Sequence, residues 1–171
     1  MGTGTTDSKT KYGPVTWVAG IIGMLAGRYA GINLLIPLAG AAIAFYALKR
    51  FAPAQKAIWF GAISVQVGHA IWFIVGIAIS GQVNTIMDPA ILLVGVLWLL
   101  AKPGAAPVVV LSVFQLAALA YNSHMFLGTE FGTNPNKALF VHIIFRAMAL
   151  GLMAFALYKA SKAPSVEAIS S

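Results

Sequence analysis

Between Ala57 and Ser80 the chain runs for 24 residues without a formal charge. As an α-helix this stretch is about 36 Å long, enough to cross a hydrocarbon core of about 30 Å. The remainder of the 171 residues is of the same kind. Apolar residues make up 60% and charged residues 9%, where a soluble domain has about 45–50% and about 25%. So little polar surface cannot cover a globule in water. The fold class is therefore all-α: a polytopic integral membrane bundle of about six transmembrane helices in three hairpins with short loops.

Chain punctuation sets the spans. Pro14 is a favourable first helical residue, because the N–H it lacks would be unpaired there. From Pro14 to Phe51 there are 38 residues, about 57 Å as one helix and too long for one crossing. Two spans, 14–30 and 34–51, fit better, with a turn at Gly31-Ile32-Asn33 and Asn33 as a cap. The third span is 57–80. Asp88-Pro89 starts a fourth segment and Lys102-Pro103-Gly104 stops it, leaving 89–102 as a short span or a re-entrant one. A fifth covers 106–122, a polar loop runs from Ser123 to Asn136, and a sixth covers 137–160. Residues 1–13 and 163–171 read as flexible tails.

Charge placement tests this count. Six spans with a cytoplasmic N-terminus put Lys9, Lys11, Lys49, Arg50, Lys56, Lys102, Lys159 and Lys162 on one side, against Arg28 and Lys137 on the other. Fusing the first two spans spoils that bias and strands Arg28 in mid-helix. The positive-inside rule thus favours six spans, both termini cytoplasmic, in a bacterial-type inner membrane. Tyr12, Trp17, Tyr46, Trp59 and Tyr158 all fall near the expected cytoplasmic boundary, where interfacial aromatics belong.

The net charge of +7 is spread over loops and tails, without a basic aromatic-bearing helix, so nucleic acid is not a partner. The absence of cysteine excludes disulfides, thiolate metal sites and cysteine nucleophiles. There is no phosphate loop, no nucleophile–base–carboxylate set and no pair of carboxylates within a span, so the reading leans away from an enzyme. Loops this short hold no nucleotide-hydrolysing domain, so active transport would require a partner subunit.

Three helices each carry one polar stripe. Gln66 and His69 are three residues apart in the third span. Ser112, Gln115 and Asn122 fall within one arc of the fifth. His142 and Arg146 are one turn apart in the sixth. Polar side chains in hydrocarbon need partners, so the three stripes are expected to face a common interior. Arg146 is the most telling, since no predicted span holds an acid to neutralise it. Its counter-charge is then water, a rim carboxylate such as Asp88 or Glu130, or an anionic ligand.

Gln66, His69, Gln115, Asn122, His142 and Arg146 are thus candidate substrate-binding residues of a small transporter, channel or transporter substrate-binding subunit for a small polar or anionic solute. The alternative is a non-transporting membrane subunit that binds haem or lipid, or anchors a partner complex. Haem b would take His69 and His142 as axial ligands, although their unequal depths argue against their meeting. No metal site is expected: His124, Met125 and Met87 are soft ligands in no recognised spacing. Finally, Gly23, Gly27 and Gly31 form a small-residue face that serves either packing within the bundle or a homo-oligomer interface.

Overall fold

A computed structural model describes residues 23–81 and 83–162, and these contain only helices, turns and short connections. The two tails, and the first span up to Ile22, lie outside the described residues. Residues 23–30 form the described part of α1. It is followed by α2 (Ile32–Phe51), a 3-10 segment (Ala54–Trp59), α3 (Phe60–Ser80), a second 3-10 segment (Val83–Ile86), α4 (Met87–Ala101), α5 (Ala105–Gly128) and α6 (Asn134–Lys162). Among the described residues, four helical stretches are long and apolar enough to cross a membrane: Ile32–Phe51, Ala54–Ser80, Ala105–Gly128 and Asn134–Lys162. Outward-facing Leu35, Ile43, Ile74, Val94, Leu97, Val109, Val113 and Phe155 are all exposed on the bundle surface, as a lipid-facing wall requires.

α3 is the central helix. Apart from Ser64, Gln66 and His69 its middle is apolar on every side, the pattern of a helix enclosed by others, and it packs against α2, α4 and α6. Its closest neighbour is α2. A Cβ on Gly68 would stand 2.3 Å from the Pro37 carbonyl oxygen and 2.7 Å from the Ala41 nitrogen. Only a glycine permits backbones that close. Of the α3 glycines Gly61, Gly68 and Gly76, Gly68 alone stands at a backbone crossing this close.

α4 returns along α3 from end to end. Leu92 packs on Ala70 and Phe73, Val96 and Leu99 on Trp59, Ala62 and Ile63, and Lys56 Nζ donates to the Leu100 carbonyl. On the opposite side of α3, Ala26, Ala30 and Leu34 join Val65, Trp72, Val141, Phe145 and Ala149 in a second apolar cluster.

Three boundaries differ from the sequence reading. The first turn is Gly31 alone, at φ +59°, a backbone that glycine adopts without strain. The next helix starts at Ile32, and Asn33 is not its cap. α5 continues to Gly128 instead of ending at Asn122, because His124-Met125-Phe126-Leu127 contains no helix breaker. α6 starts at Asn134, where Thr133 Oγ1 accepts the Asn136 N–H at 3.5 Å in N-cap fashion. The polar loop of 123–136 shrinks accordingly to 129–133. Among the described residues nothing lies within 4 Å of a Cβ placed on Gly23, Gly27 or Gly31, so that stripe makes no close packing contact there.

Candidate functional site

The polar stripes turn inward. Gln66, His69, Gln115 and Arg146 are fully buried, and Asn122 is buried at 6% exposure. His142 is half-buried.

Arg146, at mid-length of α6, donates from Nη1 to Gln115 Oε1 at 2.9 Å and from Nη2 to Asp88 Oδ2 at 3.1 Å. Of the three counter-charges open to it, the structure thus holds the rim carboxylate. Asp88 occupies the first turn of α4, where its charge also suits the positive end of the helix dipole. Its side chain is 36% exposed while that of Arg146 is 0% exposed, so the pair joins a dry cation to a wet anion. Rings of Phe114 and Phe73 complete the guanidinium's surroundings, with Cζ 5.4 and 5.8 Å from their centroids.

His69 and His142 meet. His69 Nε2 and His142 Nδ1 are 2.8 Å apart, so one nitrogen carries the proton and the other accepts it. The expected depth mismatch is smaller than the sequence suggested and does not keep them apart. Counting from the real helix ends, His69 lies 11 residues inside Ser80 and His142 eight inside Asn134. The difference is about 4 Å along the axes, which two side chains readily span. Phe73 lies against both rings, its centroid 5.0 Å from that of His69 and 4.3 Å from that of His142. Phe73 therefore bridges the histidine pair and Arg146. Nothing in the sequence marked it out, because one phenylalanine in an apolar helix carries no signal of its own.

The other two candidates sit apart from these groups. Gln66 Nε2 donates to the Ala62 carbonyl at 3.3 Å and approaches Met153 Sδ of α6 at 3.7 Å. Asn122 is buried on α5 with Nδ2 unpartnered. Among the described residues, Gln66 Oε1, His69 Nδ1, Gln115 Nε2 and Arg146 Nε likewise lack hydrogen-bond partners. Buried polar atoms are nearly always paired, with protein groups or ordered water, so these five are the points in the described bundle where a water or a ligand group would find a partner. His124, Met125 and Met87 are exposed. No group of three or more His, Cys, Asp or Glu residues suited to a metal occurs among the described residues.

A cleft of about 980 Å³ reaches this interior from one end of the bundle, between the α1–α2 elbow, the end of α3 and the start of α6. His142, Trp72 and Phe73 form its inner wall, and Arg28 and Lys137 also line it. Its rim is tied together by Tyr29, whose hydroxyl donates to Asn136 Oδ1 and accepts from the Gly132 N–H at 3.2 Å. Asn136 Nδ2 in turn donates to the carbonyls of Phe126 and Thr129 at 3.1 and 3.3 Å. Neither the cleft nor its latch was visible in the sequence, since both join segments about a hundred residues apart.

Comparisons with family models, with curated proteins and with solved structures give no match.

Proposed function

We propose that this chain is a small membrane transport protein, a carrier, a channel or the substrate-binding subunit of one, for a small polar or anionic solute. The observation that carries the reading is the cleft opening onto His142. Behind the wall of His142, Trp72 and Phe73 lie His69, Arg146 and Gln115, an array of donors, acceptors and one cation inside an apolar bundle. Donors fixed in a low-dielectric interior select solutes by charge and hydrogen bonding. Asp88, still partly hydrated, would exchange places with an incoming anion on Arg146.

Six crossings with both termini cytoplasmic, in an inner membrane, remain the best reading of the topology. The four residues of the Val83–Ile86 segment and the fifteen of α4 add to about 30 Å of helical path, one core thickness, which favours a crossing over a re-entrant fourth segment. The eight-to-two charge bias supports the same arrangement. The open Gly23, Gly27 and Gly31 face fits self-association or a partner subunit.

The haem alternative would require the His69–His142 hydrogen bond to open so that iron replaced the shared proton. A Soret band in the purified protein would establish it over transport. The transport test is isotope uptake by proteoliposomes, using a panel of chloride, acetate, phosphate and glycerol. At least one solute should enter faster than into empty liposomes, and Arg146→Met should slow it about tenfold or more, as expected when a charge-assisted contact is lost. Uptake of none, or full uptake by the variant, overturns the proposal.

A further inference from the structure

The two sides of the cleft differ in chemistry. Arg28 and Lys137 supply positive charge, and among the described residues no acid lines it. The Tyr29–Asn136 hydrogen bond brings together the two chain segments that carry these cations, since Arg28 precedes Tyr29 and Lys137 follows Asn136 in the chain. Neither cation forms an ion pair among the described residues, where the sole pair is Arg146–Asp88. The walls are apolar and aromatic, from Ile36 on α2 to Trp72, Phe73 and Ile77 on α3. A small inorganic anion would use the cations but leave the apolar walls uncovered. A neutral hydrocarbon would use the walls but leave the cations without a partner.

We infer that the cleft binds an acyl-chain amphiphile with an anionic head, the carboxylate or phosphate between Arg28 and Lys137 and the chain along Ile36, Trp72, Phe73 and Ile77 towards His142. This goes beyond the transport reading: it assigns a ligand to the cleft itself, in front of the buried polar array. The volume, about 980 Å³, is at the upper end of small-molecule sites, roughly 300–1,000 Å³, and suits a chain with its head. The position suits it as well. By the charge count Arg28 and Lys137 sit at the non-cytoplasmic interface, the depth at which lipid head groups lie. The shared chemistry has two sources, a free fatty anion or an anionic phospholipid of the bilayer.

Trp72 lies in the cleft wall and provides the readout. With the full chain in phosphatidylcholine nanodiscs, bromododecanoate should quench fluorescence with a saturable component that Trp72→Phe removes. Arg28→Gln and Lys137→Gln should each weaken this component about threefold, and the double variant about tenfold, given the partial exposure of the site. Dodecanoate or dodecyl phosphate should displace the probe, whereas dodecylamine and dodecanol should not. Displacement by dodecanoate assigns a free fatty anion; displacement only by phosphatidylglycerol in the disc assigns a bilayer phospholipid. Quenching with no Trp72-dependent saturable part, equal displacement by dodecylamine, or wild-type binding by a double variant that keeps its helical circular dichroism overturns the inference. Failure of the transport reading looks different: it leaves amphiphile binding intact with no solute uptake. Arg146-dependent uptake of acetate or chloride without amphiphile binding sinks the inference alone.

Discussion

Replacing Asp88 by asparagine isolates the contact on which the interior depends. The side chain keeps its shape and one acceptor, so what is removed is the charge facing Arg146. At the observed 3.1 Å, two unit charges attract by about 5 kcal/mol at an effective dielectric of about 20 and by about 1.3 kcal/mol in water. Arg146 is fully buried while Asp88 is 36% exposed, so the real value falls between these limits. Gln115 continues to hold Nη1, and asparagine still accepts from Nη2. We expect Asp88→Asn to destabilise the fold by about 2 kcal/mol, below the roughly 3–5 kcal/mol seen when a fully buried pair is broken.

Arg146→Met behaves differently. It removes the desolvated cation but leaves Gln115 Oε1 without a donor, at about 1–3 kcal/mol for a buried acceptor. The two effects oppose one another, and the single variant alone decides little. The double-mutant cycle does decide. In the Arg146→Met background, Asp88→Asn should change stability by less than about 0.5 kcal/mol, giving a coupling near 2 kcal/mol. Equilibrium unfolding in mixed detergent micelles, followed by circular dichroism, measures all four proteins. Equal losses from Asp88→Asn in both backgrounds would show that the pair is not what stabilises Arg146 in the bundle.

Gly68→Ala should destabilise by about 1–3 kcal/mol, because its Cβ would meet backbone atoms of Pro37 and Ala41; Gly76→Ala, with nothing within 4 Å, should be neutral or gain about 0.5–1 kcal/mol, and the same unfolding assay compares them. Tyr29→Phe removes the hydroxyl that joins Asn136 to Gly132. It should lower stability by about 1 kcal/mol and speed amide exchange about fivefold across 129–133, a change that hydrogen-exchange mass spectrometry would register or exclude. Reporter fusions at Met1 and Ser171 should both read cytoplasmic; opposite readings would mean an odd number of crossings.

What could be read from the sequence, and what could not, divides along a physical line. Helix class and polar faces follow from local periodicity, so Gln66, His69, Gln115 and His142 were expected to turn inward; the first three are fully buried and His142 is half-buried. Ends of helices were less legible. Polar loop residues such as His124 are compatible with helix when no breaker intervenes, and α5 runs on to Gly128. That error in where helices end propagated to the histidines: counted from residue 137, His142 looked too shallow to reach His69. Partner choice was least legible, because it depends on how helices are rotated and offset. Asp88, outside the expected fourth span, was only one of three counter-charges left open for Arg146, and the arginine's long stem reaches it from mid-helix.

The same reasoning explains why the orphaned atoms matter more than the bonds that are made. A bundle needing only adhesion between helices would satisfy each amide in full, since an unpaired buried group costs about 1–3 kcal/mol. Here Arg146 uses Nη1 and Nη2 and leaves Nε, Gln115 uses its oxygen and leaves its nitrogen, and His69 uses one ring nitrogen of two. Each side chain is anchored by one end and keeps the other buried and unpaired. Groups held in place with hydrogen-bonding capacity left over are what a ligand site requires, because the anchors fix orientation before the ligand arrives. Replacing Gln115 by leucine would therefore separate the two roles. As glue, Gln115 contributes one bond to Arg146, and its loss should lower stability by about 1–3 kcal/mol. As part of a site, it also orients the guanidinium, so solute uptake should fall about tenfold or more in protein that remains folded. Uptake that survives Gln115→Leu while stability drops would assign the polar interior to packing alone.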